Sequence, residues 1–457
     1  MLLAGAVLVA ALVFLRVGAG SLPRQSWAGV DFASLPEVRL LQRYLRIDTT
    51  PETGSELAGA RFLAAELGAV GIQAEIEELG DGRANLVAIV PGDDPAALVL
   101  HNHIDVAHVD APEEWRFPPF SGHLEPPWIY GRGAFDMKSL AIAQLLALRS
   151  LHEGGRPGRS VVFLATGSEE IGSDLGTRWI LRTRPRLVER FWAVLTEGGV
   201  VEGRSGDDIK YWGTEFSQKR FVELEFCHPR RARLEDLRRD IEAARRAPTG
   251  LRLIPEVEAV LARYAPTRDL DRLRQILAAP DLLIGDPARF GEVPAYLQAM
   301  FRDEVYASAP EKSEGGYRLR VTLHLLPDAD PEAARRELLP EWMTFGLGKP
   351  VARTVTGALT SPLDHHAYAG IQQALAAGQP GAPAGPYLLP WTVTDARFFR
   401  AAGIVTYGFS PFLLLTSDSM TLHRRNERIA LPGFVDGVEL YRDLVHRLAH
   451  PAARPSR

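Results

Sequence analysis

Histidine and aspartate side chains lie in residues 97–139 at a spacing that suits a metal ion. Residues 98–100 are an apolar run typical of a buried strand, and His103 and Asp105 follow at its carboxyl end. Residues two apart on a strand project from the same face. The Asp105 carboxylate is therefore predicted to accept the second N–H of the His103 imidazole, as partners of metal-bound histidines do. A glycine-containing loop then presents Asp136 before a helix, and His103 and Asp136 could hold a metal ion between them.

Further carboxylates follow two later strands. Glu169 and Glu170 come after the apolar residues 160–166, and Glu197 follows the strand predicted at 191–195. Glu169 and Glu170 have two interpretations. They are a solvated turn that leads into a helix N-terminus, or one carboxylate binds metal while its neighbour takes a proton from the attacking water. Open α/β sheets place their sites beyond the carboxyl ends of strands, so a third carboxylate at a third strand end favours the second interpretation.

Together with a histidine near the C-terminus, these side chains form a set of two imidazoles and three carboxylates: His103, Asp136, Glu170, Glu197 and His423. Such a set suits two zinc ions that share one carboxylate. The ligand types also permit Mn²⁺ or Co²⁺. Taken alone, a histidine such as His423 is more often a surface or helix-capping residue, and the order and spacing of the whole set favour the metal interpretation.

Length and composition describe a folded protein with more than one domain. The 457 residues are too many for one ordinary core, and 46% hydrophobic with 24% charged residues is typical of globular proteins. The net charge of -5 gives no electrostatic basis for nucleic-acid binding. Because Cys227 is the single cysteine, an intrachain disulfide is excluded and a metal must use histidine and carboxylate ligands.

The N-terminal segment, residues 1–20, is predicted to be a signal peptide or an uncleaved membrane anchor. Residues 1–15 are apolar apart from Gly5, and Arg16 and several small residues follow. The run is short for a spanning helix, which needs ~20 residues, and it lacks a basic start. A buried first helix is the alternative, but no polar face marks one. The favoured interpretation makes the protein membrane-anchored or secreted, with the remainder outside the cytoplasm.

Strand and helix patterns alternate over most of the chain and predict an α/β fold. From about residue 213 the pattern changes to charged helices and a clearly alternating strand at 317–325, which indicates an inserted antiparallel α+β domain. We predict a linker at 21–35, a first part of the main domain at 36–212, the inserted domain at 213–338 and the second part of the main domain at 339–457.

From about residue 36 onward the chain resembles the di-zinc metallopeptidase family of aminoacylase, carboxypeptidase and succinyl-diaminopimelate desuccinylase (peptidase family M-twenty). It is most similar to the branch with membrane-anchored or secreted carboxypeptidases and N-acyl amino acid hydrolases. The matching motifs stand in the family's order: His103-Ile104-Asp105-Val106, Trp115 with Pro119-Phe120, Tyr130-Gly131-Arg132-Gly133-Ala134-Phe135-Asp136-Met137-Lys138, Glu169-Glu170-Ile171-Gly172-Ser173, Thr196-Glu197-Gly198-Gly199, Thr394-Asp395-Ala396-Arg397, and His423 with Asn426-Glu427-Arg428-Ile429.

The resemblance implies a catalytic domain with a mixed sheet flanked by helices, and an inserted lid through which members often form homodimers. It also implies that Asp136 bridges two zinc ions. His103 and Glu197 would complete one zinc site, and Glu170 and His423 the other.

The remaining roles come from the same resemblance. Glu169 would be the general base, Asp105 would be the partner of His103, and the peptide bond after Asp136 would be cis. The implied activity is hydrolysis of an amide or peptide bond next to a free carboxylate. The expected substrates are small peptides or N-acyl amino acids.

Two further residues have open interpretations. Arg397 is a candidate for a bidentate pair with the substrate carboxylate, or else forms a surface salt bridge. His228 stands in the segment where the family has a Gly-His-Ser motif, and it is either an oxyanion donor or a structural histidine. The chain departs from the family in other ways: Thr196 precedes Glu197 where this branch often has aspartate, and the last lid strand ends in His324-Leu325-Leu326-Pro327 where an arginine is usual.

Two rival functions follow from other features. His101-Asn102-His103 also fits the H-x-H motif of a TIM-barrel amidohydrolase, but that fold needs later metal histidines at strand ends and leaves Glu169 and Glu170 unexplained. The altered lid also allows a membrane-tethered binding protein that keeps the fold without turnover. The complete set of predicted ligands argues against the second rival.

Overall fold

The structure, a computed structural model, describes residues 27 and 29–450 apart from 53, 206–207, 246–249, 269–270 and 355–356. The predicted signal or anchor segment, residues 1–20, lies outside the described residues. Within the described part of the chain, no helix is both long enough and apolar enough to cross a bilayer. The predicted linker differs from the structure at Phe32–Ser34, which is a 3₁₀ helix capped by the Asp31 side chain, because Phe32 is buried.

The chain divides into two compact units. The lid unit contains Phe216–Ser361 and Pro386–Val393, and the main unit contains the described residues up to Glu215, Pro362–Gly385, and the described residues from Thr394 onward. Most of the predicted insertion, residues 213–338, lies in the lid unit.

The strands of the main unit and its two boundary strands are β1 (Ala74–Gly80), β2 (Arg83–Val90), β3 (Asp94–His103), β4 (His123–Glu125), β5 (Trp128–Tyr130), β6 (Arg159–Thr166), β7 (Phe191–Thr196), β8 (Val200–Ser205), β9 (Asp208–Gln218), β15 (Ala384–Leu389), β16 (Thr406–Gly408) and β17 (Arg428–Ala430). The helices of this unit are α1 (Pro36–Leu45), α2 (Glu56–Gly68), α3 (Lys138–Glu153), α4 (Thr177–Thr183), α5 (Pro185–Val188), α14 (His366–Gly378), α15 (Ala396–Ala401), α16 (Thr416–Ser419) and α17 (Leu431–Ala449).

A nine-stranded mixed sheet has the order β1-β2-β6-β3-β7-β16-β9-β15, with β8 paired to β9. Strands β6, β3, β7 and β16 are parallel neighbours, so their carboxyl ends meet at one edge. The predicted α/β fold is confirmed. Because the sheet is open, the TIM barrel considered for His101-Asn102-His103 is wrong.

Helices cover both faces of this sheet, which explains why its central strands are continuously apolar. Val99 and Val162 pack on one face with Ile180 of α4 and Phe399 of α15. Helix α3 contacts β3 and β6, and it also packs along α17. Helix α4 begins at Thr177, a few residues after Gly172 and Ser173, which both take left-handed backbone conformations.

The lid unit is a separate α+β structure. Its strands are β10 (Arg220–His228), β11 (Glu304–Ala307), β12 (Glu311–Ser313), β13 (Gly316–Leu325) and β14 (Val351–Thr354). Its helices are α6 (Arg231–Ala244), α7 (Pro255–Tyr264), α8 (Asp271–Ala278), α9 (Pro280–Ile284), α10 (Pro287–Glu292), α11 (Ala295–Gln298), α12 (Pro331–Leu338) and α13 (Glu341–Thr344).

The lid sheet is antiparallel, with the order β11-β13-β10-β14 and β12 paired to β13. Alternate residues of β10 and β13, such as Leu224 and Val321, face a core that includes Leu237 and Ile241 of α6. The alternation of apolar and polar residues predicted at 317–325 is therefore that of a half-buried strand, β13, with one face on the core.

Candidate metal centre

The parallel register of three strands brings the candidate ligands to one edge of the main sheet. His103 is the last residue of β3 and pairs with Thr166, the last residue of β6. Glu169 and Glu170 follow β6 in a 3₁₀ helix, Glu169–Ile171, and Glu197 follows β7 directly. The His103 Nε2 atom lies 3.7 Å from the Glu197 Oε2 atom.

Asp136 lies at the centre of the cluster. It stands in the loop between β5 and α3, and the peptide bond from Asp136 to Met137 is cis, as the resemblance implied. One carboxylate oxygen, Oδ1, is 3.0 Å from His103 Nε2, and the other, Oδ2, is 2.9 Å from His423 Nε2. The two oxygens of one carboxylate thus face two different imidazoles.

The second imidazole is held by a backbone conformation that few residues adopt. His423 lies between α16 and β17 with φ of 56°, and its Nε2 atom is 3.2 Å from Glu170 Oε1. The structure therefore brings together all five predicted ligands, in two groups that share Asp136.

The donor set fits divalent metal ions. Ligand atoms of His103, Asp136 and Glu170 lie within 4.8 Å of one another, and so do those of His103, Glu169 and Glu197. Among the described residues, no lysine or arginine forms an ion pair with these carboxylates. Converging carboxylates and imidazoles without a fixed cation are the ligands that zinc takes in two-metal hydrolases.

The neighbouring carboxylates raise the pKa values of both imidazoles in this cluster. Burial alone would lower the pKa of His423, but Glu170 and Asp136 raise it to about 11. The pKa of His103 is likewise raised well above its usual range by Glu197 and Asp136, against the effect of burial. Although burial opposes it, the two imidazoles hold the pKa of Asp136 well below its usual range.

In contrast to Asp136, two neighbouring carboxyl groups have raised pKa values. Burial, with the charge of Asp136 added, raises the pKa of Glu197 to about 8. Burial and the nearby Glu197 raise the pKa of Glu169 well above its usual range. A carboxyl group with a raised pKa can take up a proton and release it again, which is what a general base requires.

The predicted role of Asp105 needs a correction. His103 Nδ1 lies 2.8 Å from the main-chain oxygen of Asp105, whereas the Asp105 carboxylate is 3.7 Å from it. The carboxylate accepts hydrogen bonds from the main-chain N–H groups of Glu169 at 3.1 Å and Glu170 at 2.9 Å. The chain turns after β3, so the carbonyl group rather than the side chain reaches the ring. Burial raises the pKa of Asp105 to about 7.

Two residues that the sequence did not indicate complete this arrangement. The Asn85 side chain accepts from the Gly167 N–H at 3.0 Å, and the buried Glu56 carboxylate accepts from the Ser168 N–H at 3.0 Å. Glu56 also pairs with Arg83. Side-chain oxygens therefore hold four successive N–H groups, those of residues 167–170. No short-range pattern marks Glu56 or Asn85, because both lie far from residue 167 in the chain.

Glu427 holds the Asp136 loop in a similar way. Its carboxylate accepts from the N–H groups of Phe135 at 2.9 Å and Asp136 at 3.1 Å, and it forms a buried pair with Arg132. Glu427 follows His423 by four residues. One segment therefore supplies the candidate ligand His423 and also positions the candidate ligand Asp136 beside it. In the sequence, Glu427 was marked only as part of the family motif that contains His423. The motif did not indicate that Glu427 contacts the Asp136 loop.

The two predicted substrate-binding residues lie in different units. Arg397 is on α15 in the main unit, with its guanidinium carbon 4.7 Å from the centre of the Phe398 ring, and its buried Nε has no partner among the described residues. His228 ends β10 in the lid unit, and its Nδ1 accepts from the N–H of Arg230 at 3.0 Å. Both roles stay predictions.

Comparisons with known proteins show which family the chain belongs to. The model of peptidase family M20/M25/M40 matches residues 99–447. Aminoacylase-1A of Rattus norvegicus is 28% identical over 433 residues, covering 92% of this chain and 97% of the relative. Succinyl-diaminopimelate desuccinylase of Paracoccus denitrificans is 34% identical over 174 residues, 38% of this chain and 44% of the relative.

Solved structures share the fold. A metallo-carboxypeptidase of Sulfolobus solfataricus superposes with a TM-score of 0.66 at 17% identity, over 90% of this chain and 99% of that one. Human carnosine dipeptidase 1 gives 0.65 at 14% identity, over 90% and 96%. Because the family model spans most of the chain, the protein belongs to peptidase family M20/M25/M40, a family of metal-dependent hydrolases of amide bonds.

Proposed function

We propose that the chain is a di-zinc hydrolase that cleaves an amide or peptide bond next to a free carboxylate. The observation that carries this proposal is the position of Asp136, whose two oxygens lie within 3.0 Å of the imidazoles of His103 and His423. Glu197 lies beside the first imidazole and Glu170 beside the second. Asp136 would bridge the two ions, and each ion would take one more histidine and one more carboxylate.

Two zinc ions, when bound, would polarise the amide carbonyl and lower the pKa of water at the site. Glu169 would take the proton of the attacking water on its carboxylate and deliver it to the leaving nitrogen. Its half-buried position beside Glu197 supports this role, since both features raise the pKa of its carboxyl group. Asp105 would keep the Glu169 main chain fixed while the side chain moves the proton.

The substrate class rests on Arg397 and on the relatives. A planar guanidinium with an unpaired, buried Nε–H suits a bidentate pair with a carboxylate. The alignment with this chain covers 97% of the length of the aminoacylase. It covers 44% of the length of the desuccinylase. Small peptides and N-acyl amino acids are therefore the proposed substrates, with Zn²⁺ preferred over Mn²⁺ or Co²⁺.

The test combines metal analysis of the purified protein with a hydrolysis screen of dipeptides and N-acyl amino acids. We expect two zinc ions per chain and turnover of at least one substrate class. Glu169→Gln is expected to keep both ions and to lose turnover by about 10²- to 10⁴-fold, because it removes the proton acceptor. Glu153→Gln, at the exposed end of α3, is the matched control. A folded protein without metal, or a Glu169→Gln variant with wild-type turnover, would contradict the proposal.

A further inference from the structure

His101, two residues before His103 on β3, has no role in the chemistry described so far. Its side chain is 1% exposed, and its ring packs edge-on against Phe399 with the ring centres 5.0 Å apart. Both ring nitrogens have partners. Nδ1 lies 2.8 Å from the Thr196 hydroxyl, and Nε2 lies 3.0 Å from the hydroxyls of Thr166 and Thr177.

Two of these threonines end the strands on either side of β3. Thr196 is the last residue of β7, immediately before Glu197, and Thr166 is the last residue of β6, three residues before Glu169. Both threonines are fully buried. The rigid imidazole therefore cross-links two strand ends, and each strand end continues directly into residues of the candidate site.

The main-chain ladder between β3 and β7 stops short of Thr196, which pairs with Gly408 of β16 on its other side. The register of β3 with β7 ends at the pair Leu100 and Leu195, so no ladder pair with β3 includes Thr196. The hydrogen bond between His101 and Thr196 is the side-chain connection at that position. On the other side, the ladder with β6 continues to His103 and Thr166, and the imidazole adds a side-chain bond to the same residue.

We propose that His101 is a positioning residue that fixes Glu197 through Thr196 and the segment 167–170 through Thr166. The proposal rests on the proposed function, since it concerns the placement of a candidate zinc ligand and of the candidate general base. A hydroxyl paired to a ring nitrogen holds the strand end against rotation, and a ligand carboxylate must keep its direction to bind metal tightly.

The two nitrogens can be tested separately. Asparagine places its polar group near the position of Nδ1, and glutamine places its polar group near the position of Nε2. His101→Asn is therefore expected to keep the contact with Thr196, and His101→Gln is expected to keep the contact with Thr166. Thr196→Val and Thr166→Val remove the same contacts from the other side with almost no change in shape.

The measurements are zinc affinity by chelator competition, the absorption spectrum of the Co²⁺-substituted protein, and kcat and KM separately. Loss of the Thr196 contact, in His101→Gln and Thr196→Val, is expected to weaken binding of one metal ion by about 10- to 100-fold and to change the Co²⁺ spectrum. Loss of the Thr166 contact, in His101→Asn and Thr166→Val, is expected to lower kcat about tenfold with KM unchanged, and to weaken metal binding at the site that Glu170 would complete. Exposed His152→Gln and Thr183→Val are the controls.

Each outcome has a definite meaning. His101 variants that change only the free energy of unfolding, with wild-type metal affinity, spectrum and kcat, would overturn the positioning role and leave a structural histidine. If the His101 variants do not fold, the two Thr→Val variants decide in the same way. Wild-type protein that binds no zinc would overturn the proposed function and this proposal with it, whereas a zinc-loaded, active wild type with indifferent variants would overturn this proposal alone.

Discussion

The Asp105 carboxylate binds the main chain of the Glu169–Glu170 pair, with one oxygen 3.1 Å from the Glu169 nitrogen and the other 2.9 Å from the Glu170 nitrogen. One side chain from the end of β3 thereby fixes the candidate base and a candidate metal ligand at the end of β6. Asp105 is fully buried, so water cannot replace either hydrogen bond without opening the structure.

Asp105→Asn tests this relationship. Asparagine has one oxygen and one NH₂ group, so one of the two main-chain N–H groups would face a donor instead of an acceptor. We expect kcat to fall by about 10- to 100-fold and zinc binding to weaken, as measured by steady-state kinetics and chelator competition. Asp93→Asn, whose side chain is 75% exposed in wild type, is the control. Wild-type kcat in Asp105→Asn would show that the two hydrogen bonds do not matter for turnover.

Gly167→Ala tests the neighbouring contact with Glu56. A Cβ atom at residue 167 would lie 1.9 Å from Glu56 Oε2 and 2.5 Å from its carboxyl carbon, so Glu56 must move away from the Ser168 N–H. Leaving a buried donor without a partner costs about 1–3 kcal/mol, and we expect that loss in urea unfolding together with a lower kcat.

The matched control for this change is Gly68→Ala. Gly68 ends α2, and an added Cβ atom there meets nothing within 4 Å. Alanine is a better helix residue than glycine by about 0.5–1 kcal/mol, so the control is expected to be neutral or slightly stabilising. Equal effects of the two substitutions would contradict the role assigned to Glu56.

Arg397→Met tests the substrate anchor. Hydrogen bonds to a charged group contribute about 1.5–3 kcal/mol, so we expect KM to rise by roughly 10- to 150-fold while kcat changes much less. Arg397→Lys is expected to recover only part of this loss, because an ammonium cannot form the bidentate pair. Steady-state kinetics with a substrate and its carboxamide analogue would show the effect. If Arg397→Met lowers activity on both equally, Arg397 does not bind the carboxylate.

His324 gives the lid unit a predicted dependence of stability on pH. Its ring stacks on Phe221 with the ring centres 3.8 Å apart, and its side chain is buried. Burial, followed by the charges of Lys219 and Arg245, holds the pKa of His324 well below its usual range. The imidazole is therefore neutral in the folded protein but takes up a proton in the unfolded chain below about pH 6.5.

The sign of the effect follows from this difference. Below about pH 6.5 the unfolded state binds more protons, so stability is complete above that pH and falls by up to about 1.4 kcal/mol for each unit of further acidification. His324→Phe keeps the stacking and is expected to reduce this slope in urea unfolding measured from about pH 5 to 7. Exposed His152→Phe is expected to leave the slope unchanged. An unaltered slope in His324→Phe would mean that His324 is protonated in the folded state.

The sequence by itself determined where the candidate ligands would meet. Residues 98–100, 160–166 and 191–195 are short apolar runs, and such runs form buried parallel strands whose carboxyl ends share one edge. His103, Glu170 and Glu197 follow those runs directly, so their convergence depends only on local pattern and strand direction. Asp136 was indicated by its glycine-containing loop before a helix, and the order and spacing of the motifs joined the distant His423 to the set.

Only the tertiary structure decided what holds the ligands in place. The sequence suggested that the Asp105 side chain would bind the His103 ring, but the structure gives that bond to the Asp105 carbonyl and turns the carboxylate toward Glu169 and Glu170. Glu56 and Glu427 reach their partners across 112 and 292 residues. Hydrogen-bond partners so distant in the chain are set by the packing of strands and loops, and no local propensity or spacing encodes them.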